Sequence, residues 1–194
     1  MKKLFVELKI AVIAVLSLGV LVCAIYPAVI WGLAQALFPF EANGSMVGRE
    51  GRRHGSYLVG QGFATAKYFH PRPSAAGTGY DALNSGGSNL GPTSRKLIET
   101  VKQRISEYRA ENGLGPDVPI PADAVTASAS GLDPHISVQN ARLQAPRVAK
   151  ARGRGEDEVF AVIARSTEDR YLGILGEPRV HVLKLNMMLD VRGD

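Results

Sequence analysis

The run "IAVIAVLSLGVLVCAIYPAVI", residues 10–30, decides how the rest of the chain is read. It holds no charged side chain, and the charge-free stretch continues to Phe40. At about 1.5 Å per residue, a helix of this length spans roughly the hydrocarbon core of a bilayer. Lys2, Lys3 and Lys9 precede it, whereas the first charge after it is Glu41 and no basic residue follows until Arg49. That asymmetry predicts a cytoplasmic N-terminus and an extracytoplasmic remainder. Tyr26 and Trp31 fall near the outer end, where amphipathic rings favour the interface. "AQA" at 34–36 resembles a signal-cleavage site. The apolar run is longer than the roughly 7–15 residues of a signal h-region, so a retained anchor is expected. The expected division is a cytoplasmic N-terminus (1–9), a transmembrane helix (10–33) and an extracytoplasmic domain (34–194).

Within the anchor, Ala24, Ala28, Gly32 and Ala36 recur at every fourth position. On a regular helix they line one face, where small side chains let helices in lipid approach closely. Pro27 interrupts this ridge and is expected to kink the helix near its outer end. Outward of the anchor the charge is nearly balanced. Three of the 23 basic residues and one of the 18 acidic residues precede the apolar run, leaving an excess of only +3. No dense basic patch of the kind that binds nucleic acid is present. The one cysteine, Cys23, lies inside the anchor, so neither an intrachain disulfide nor a cysteine-based metal site is available.

Residues 41–52 suit a turn or hairpin, and "GSYLVGQ" at 55–61 suits a short strand. "YFHPRPSAAGTGYDALNSGGSNLGP", residues 68–92, is a long loop, and loops of that length are uncommon unless functional or disordered. Its prolines and aromatics argue for order. Leu97, Val101, Ile105 and Tyr108 recur on one face of a helix predicted over 93–112, capped by Thr93 or Ser94 and ended by Asn112-Gly113. Ser137 is placed to cap another helix, with Pro146 starting a new one or bending it. "GEDEVFAVIARST" reads as helix, with acids in its first turn. "RVHVLKLNMMLD" alternates like a strand, with a phase change suggesting a bulge near Val182-Leu183. The predicted class is an α/β or α+β extracytoplasmic domain preceded by one N-terminal transmembrane helix.

Four chemistries bear on the small-residue loops and the histidines. A P-loop needs a Gly-Lys pair, and the chain has none. "SGGSN" at 85–89 could still form an anion-binding nest beside a helix start. The four histidines, His54, His70, His135 and His181, show no i, i+3 or i+4 pairing, so no metal site is expected. "TASASGLD" supplies serines without a G-x-S-x-G elbow, which makes an envelope hydrolase the weakest option. Oxygens of Asn84, Ser85, Ser88 and Asn89, with Asp81 nearby, suit K⁺ or Na⁺ at a pore mouth, as any polar turn does.

The runs "GQGF", "YFHPRPSAAG", "YDALNSGGSNLGPTS", "DAVTASASGLDPHIS", "RVAKARG" and "GEPRVHVLKLN" together resemble the KdpC family, the C subunit of the bacterial potassium-transporting P-type ATPase. The resemblance runs from about residue 60 to the C-terminus, and the anchor matches in type. It implies a non-catalytic, single-span subunit of the cytoplasmic (inner) membrane. Such a subunit assembles with a channel-like K⁺-translocating subunit, a P-type ATPase subunit that hydrolyses ATP and a small hydrophobic subunit. Its implied role is to stabilise the complex and support K⁺ uptake at the outer face. The alternative reading is a subunit that binds nucleotide itself and raises the ATP affinity of the catalytic subunit. ATP and K⁺ are thus expected at the level of the complex, with lipid and the other subunits as partners and no nucleic acid. The chain lacks D-K-T-G, as a non-catalytic subunit would, and carries His181 where the family usually has asparagine. The candidate interface or ligand loop is Arg72, Ser74, Asp81, Asn84, Ser85, Gly86, Gly87, Ser88 and Asn89. A second loop offers Ser128, Ser130, Asp133 and His135, and Ala24, Ala28 and Gly32 are candidates for packing on partner helices. No catalytic or metal-binding residue is assigned.

Overall fold

The computed structural model describes residues 2–49 and 52–191; Met1, residues 50–51 and residues 192–194 lie outside the described residues. The N-terminal unit begins with a helical stretch from Lys2 to Leu37 that is long and apolar enough to cross a membrane. It comprises α1 (Lys2–Val20), a π-helical turn (Leu21–Ile25) and α2 (Tyr26–Leu37). Its apolar side chains are exposed, as lipid-facing residues are. Pro27, the residue at which a kink is expected, stands at the start of α2, just after the π-helical turn, where the wider hydrogen-bonding pattern accommodates a residue with no N–H. A short helix α3 (Pro39–Ala42) follows, and then β1 (Met46–Arg49) and β2 (Arg52–Ser56) form a two-stranded sheet. Residues 50–51 of the hairpin foreseen around 41–52 lie outside the described residues. Of the strand expected at 55–61, only Gly55 and Ser56 are extended, as the end of β2.

The second unit is a mixed helix-and-sheet domain. Its helices are α4 (Arg95–Asn112), α5 (Ala122–Val125), α6 (Val138–Arg152), α7 (Glu156–Ser166) and α8 (Val182–Val191). Its strands β3 (His135–Ser137), β4 (Thr167–Glu168) and β5 (Arg179–His181) form an antiparallel sheet in the order β3-β5-β4. Val180, at the centre of β5, faces Ile136 on one side and Thr167 on the other.

Local signals explain most of these elements. Ser94 caps α4 by accepting the Leu97 N–H, and Gly113 ends it in the left-handed conformation. Ser137 caps α6 through the Asn140 N–H, and Gly153 closes it in the same way as Gly113. Pro146 lies inside α6 without ending it. Ala141, Ala145 and Ala149 form a small-residue stripe on α6 within the core that also holds Val159, Val162 and Ile163 of α7. Phe69, Ile136, Val148, Val180, Val182, Leu185 and Leu189 complete that core.

The C-terminal element differs from its reading as a bulged strand. Only Arg179–His181 is extended, and the supposed bulge at Val182-Leu183 is the first turn of α8. The buried residues Val182, Leu185, Asn186 and Leu189 follow the i, i+3, i+4, i+7 spacing of a helix. The pattern is legible only when the polar Asn186 is counted as facing inward.

Candidate functional site

The two small-residue loops, 45 residues apart at Ser85–Ser130 and 57 at Ser74–Gly131, are interlocked by hydrogen bonds to backbone carbonyls. The Gly86 N–H donates to the Ser130 carbonyl at 2.9 Å, and the Ser85 hydroxyl donates to the same oxygen at 2.9 Å. The Ser74 hydroxyl donates to the Gly131 carbonyl at 2.7 Å while accepting the N–H groups of Ala76 and Tyr80. The Gly60 N–H, from "GQGF", donates to the Leu132 carbonyl at 2.8 Å. A Cβ on Gly131 would lie 2.7 Å from both the Ala76 nitrogen and the Gly86 oxygen, and one on Gly87 would meet the Ala129 carbonyl at 3.0 Å. These glycines are there because two backbones pass in contact. Gly131 also has φ +68°, which disfavours any side chain.

Charge closes the same junction. Arg72 Nη1 donates to Asp133 Oδ2 at 3.0 Å, and Asp133 Oδ1 accepts the His135 N–H at 2.9 Å. Burial opposes ionisation of Asp133, but hydrogen bonds from His135 and Arg72, with the Arg72 charge, outweigh it and lower its pKa to about 2. Tyr80 has a left-handed backbone, φ 56°, which is uncommon for a bulky residue. Its N–H bonds to Ser74 and its hydroxyl donates to the Arg72 carbonyl, and these contacts hold it there. Burial, aided by the Asp133 charge, raises the phenol pKa and keeps that donor protonated. Asp81 accepts from the Leu83 N–H and from Asn84 Nδ2, which closes a short turn over Ala82–Asn84. Both bonds, that from Asn84 first, lower its pKa.

Arg72, Ser74, Asp81, Ser85, Gly86, Gly87, Ser130 and Asp133 are therefore in one assembly. Ser128 is buried there, and the Ser130 hydroxyl accepts the Leu132 N–H. His135 points away from the serines, toward Asp133, Glu168 and the His181 ring. Asn84, Ser88 and Asn89 are exposed, and Leu83 is 95% exposed beside them. In the N-terminal helix, Ala24 falls in the π-helical turn while Ala28 and Gly32 lie in α2, so the three do not continue one regular helical face. All three are exposed.

Sequence reasoning missed the side chains that hold the long loop in place. The Phe69 N–H donates to Asn186 Oδ1 at 2.8 Å, and Asn186 Nδ2 returns a bond to the Phe69 carbonyl at 3.0 Å. Gln144 clasps His70 likewise, at 2.7 and 3.0 Å. Both amides are buried, so each acts as a sheet neighbour would toward an extended backbone. Asn140 accepts from Gln144 and from the Tyr108 hydroxyl and donates to Asp123. Burial raises the Tyr108 pKa, and the Asp123 charge adds to it. Arg147 and Arg152, the arginines of "RVAKARG", donate to the carbonyls of Ala66, Lys67 and Tyr68. The available signal was polar residues at inward positions: Asn140 and Gln144 share the buried stripe of α6, and Asn186 shares that of α8.

Chemically, the interlocked loops hold a shape. The hydroxyls of Ser74, Ser85 and Ser130 serve the loops' own backbone, and the Gly86 amide, a potential donor of an anion nest, bonds to Ser130. The outward products are Leu83, Asn84, Ser88 and Asn89 on a rigid base.

Comparison with known proteins gives this geometry a context. The family model described as "K+-transporting ATPase, c chain", KdpC, matches residues 8–191. A potassium-transporting ATPase KdpC subunit of Koribacter versatilis is 49% identical over 97% of this chain and 94% of its own length. Its counterpart in Myxococcus xanthus is 57% identical over 89% of this chain and 82% of its own length. That of Mycobacterium tuberculosis is 54% identical over 86% and 88% respectively.

Proposed function

The chain belongs to the KdpC family of K⁺-transporting ATPase subunits, and from that premise we propose that it is a non-catalytic accessory subunit that stabilises the assembled pump and supports K⁺ uptake at its outer face. The observation that carries this is the use of the serines and glycines of the two loops. Their hydroxyls and close approaches lock loop to loop, and the exposed residues Leu83, Asn84, Ser88 and Asn89 form a preorganised contact surface. Preorganisation of this kind lowers the ordering cost of binding a partner. The apolar helix anchors the chain in the cytoplasmic membrane. The lysines before it and the absence of basic residues until Arg49 support an extracytoplasmic domain. ATP hydrolysis and K⁺ passage belong, in this reading, to the catalytic and channel-like subunits, with the small hydrophobic subunit completing the complex.

The test is co-purification. Detergent extracts of cells expressing all pump subunits are passed over an affinity resin that captures this chain. Recovery of the other subunits in fixed proportion is expected; recovery of this chain alone defeats the reading. K⁺-limited growth and K⁺-dependent ATPase activity should both fall when the chain is omitted.

A further inference from the structure

Between β4 and β5 the chain projects a hairpin, residues 169–178, whose large apolar side chains are uncovered. Tyr171 is 72%, Leu172 76%, Ile174 76% and Leu175 56% exposed. Its backbone is nevertheless ordered by its own bonds. Tyr171 and Leu175 exchange both N–H···O bonds at 2.9 Å, and Gly173 and Ile174 donate to Arg170 and Tyr171. Leu172, Gly173 and Gly176 have φ of 54°, 76° and 80°, which form the tight return. Arg170 pairs with Glu177 at 2.7 Å across the stem. At the base, Glu168 accepts from Lys184 at 2.9 Å and from Arg179 at 3.3 Å.

We infer that this hairpin is a docking tongue that inserts into an apolar groove on another protein subunit of the pump. Four contiguous apolar side chains on a self-bonded backbone can enter an apolar cavity with few polar groups to desolvate. The charges select a protein groove over a lipid surface. Within the hairpin Asp169, Arg170 and Glu177 sum to −1, and Arg170 and the adjoining Arg179 are both paired within the chain, so the hairpin offers no free cation to anionic headgroups. The fixed turn lowers the ordering cost of insertion. The inference rests on the accessory-subunit reading, because it needs a protein partner.

The test uses the full chain co-expressed with the other subunits. L172N combined with I174N removes the apolar tip, and asparagine tolerates the left-handed backbone at 172. Retention of the other subunits should fall about tenfold or more, with the melting temperature of the isolated chain unchanged. Equal retention by wild type and variant overturns the tongue and leaves the accessory role standing. Failure of the wild type itself to retain them defeats the accessory role. As a second readout, Y171W in a W31F background reports burial by fluorescence. A blue shift that arises only in the assembled complex supports the tongue. No shift on assembly overturns it, and so does a shift in phosphatidylethanolamine–phosphatidylglycerol liposomes lacking the other subunits, which would assign the hairpin to lipid.

Discussion

The long loop at 68–92 and the hairpin at 169–178 reverse the usual association of regular structure with a covered surface. The loop has no strand and only one short helical turn, yet Phe69 within it is completely buried and its backbone is gripped from two helices, α6 and α8. The hairpin is closed by an antiparallel bridge between Tyr171 and Leu175, yet its large apolar side chains are exposed. What holds a segment is whether its backbone polar groups and apolar side chains find partners inside the domain. By that measure the loop belongs to the core and the hairpin is provisioned for something outside it.

The sharpest way to break this comparison is Asn186→Leu, which keeps size but strands the N–H and carbonyl of Phe69. At about 1–3 kcal/mol for each unsatisfied group, a loss of about 4 kcal/mol is expected in urea unfolding of the detergent-solubilised chain. A loss below about 1 kcal/mol would show that the loop is not held there. Next come two glycines with similar φ. Gly131→Ala meets backbone at 2.7 Å and should cost about 3 kcal/mol, whereas Gly173→Ala has open space and should cost only about 1 kcal/mol, for its φ. Equal losses would remove the distinction between the two regions.

Acid titration probes the loop junction. The pKa of Asp133 is lowered from its ordinary 3.8 to about 2. Its contribution is therefore full above the unfolded value and is lost as pH falls through 3.8 toward 2. About 2 kcal/mol should disappear over that window, and Asp133→Asn should abolish this part of the slope. His181 behaves similarly at higher pH. Burial, with the nearby His135 and Lys184, lowers its pKa, against the bond to the Tyr57 carbonyl and the charge of Glu168. Stability should be full above the ordinary value of 6.5 and decline as pH falls below it, because the unfolded chain then binds the extra proton. Guanidine unfolding of His181→Asn across pH 5–7.5 should lack that decline. The smallest effect is expected at the hairpin: Leu172→Asn should leave the stability of the isolated chain within about 0.5 kcal/mol.

Elements with chemical punctuation could be read from the sequence. Ser94 and Gly113 bracket α4, Ser137 and Gly153 bracket α6, and the acids at 156–158 open α7. The long apolar N-terminal helix was legible from its lack of charge. The contacts between distant segments were not. Glycine 131 in sequence signals a turn, but the approach of Ala76 and Gly86 that forbids a side chain there is a tertiary fact. The inward placement of Asn140, Gln144 and Asn186 is likewise tertiary, and the alternation of Leu183, Leu185, Met187 and Leu189 reads as a strand where the structure forms α8. Of the candidate site, composition revealed that the two loops are unusual, and only the structure showed that their hydroxyls and amides join them to each other.

The Asn186–Phe69 clasp also sets an order in time. Its partners are 117 residues apart, and one of them lies in the final helix. A nascent chain that has not yet delivered α8 can form α4 or α6 from local contacts but lacks the Asn186 amide that holds the backbone of Phe69. The long loop must then wait, open, until α8 has been made. A ribosome stalled before residue 182 would present it as a protease-sensitive segment, and release of the last helix would close it in one step.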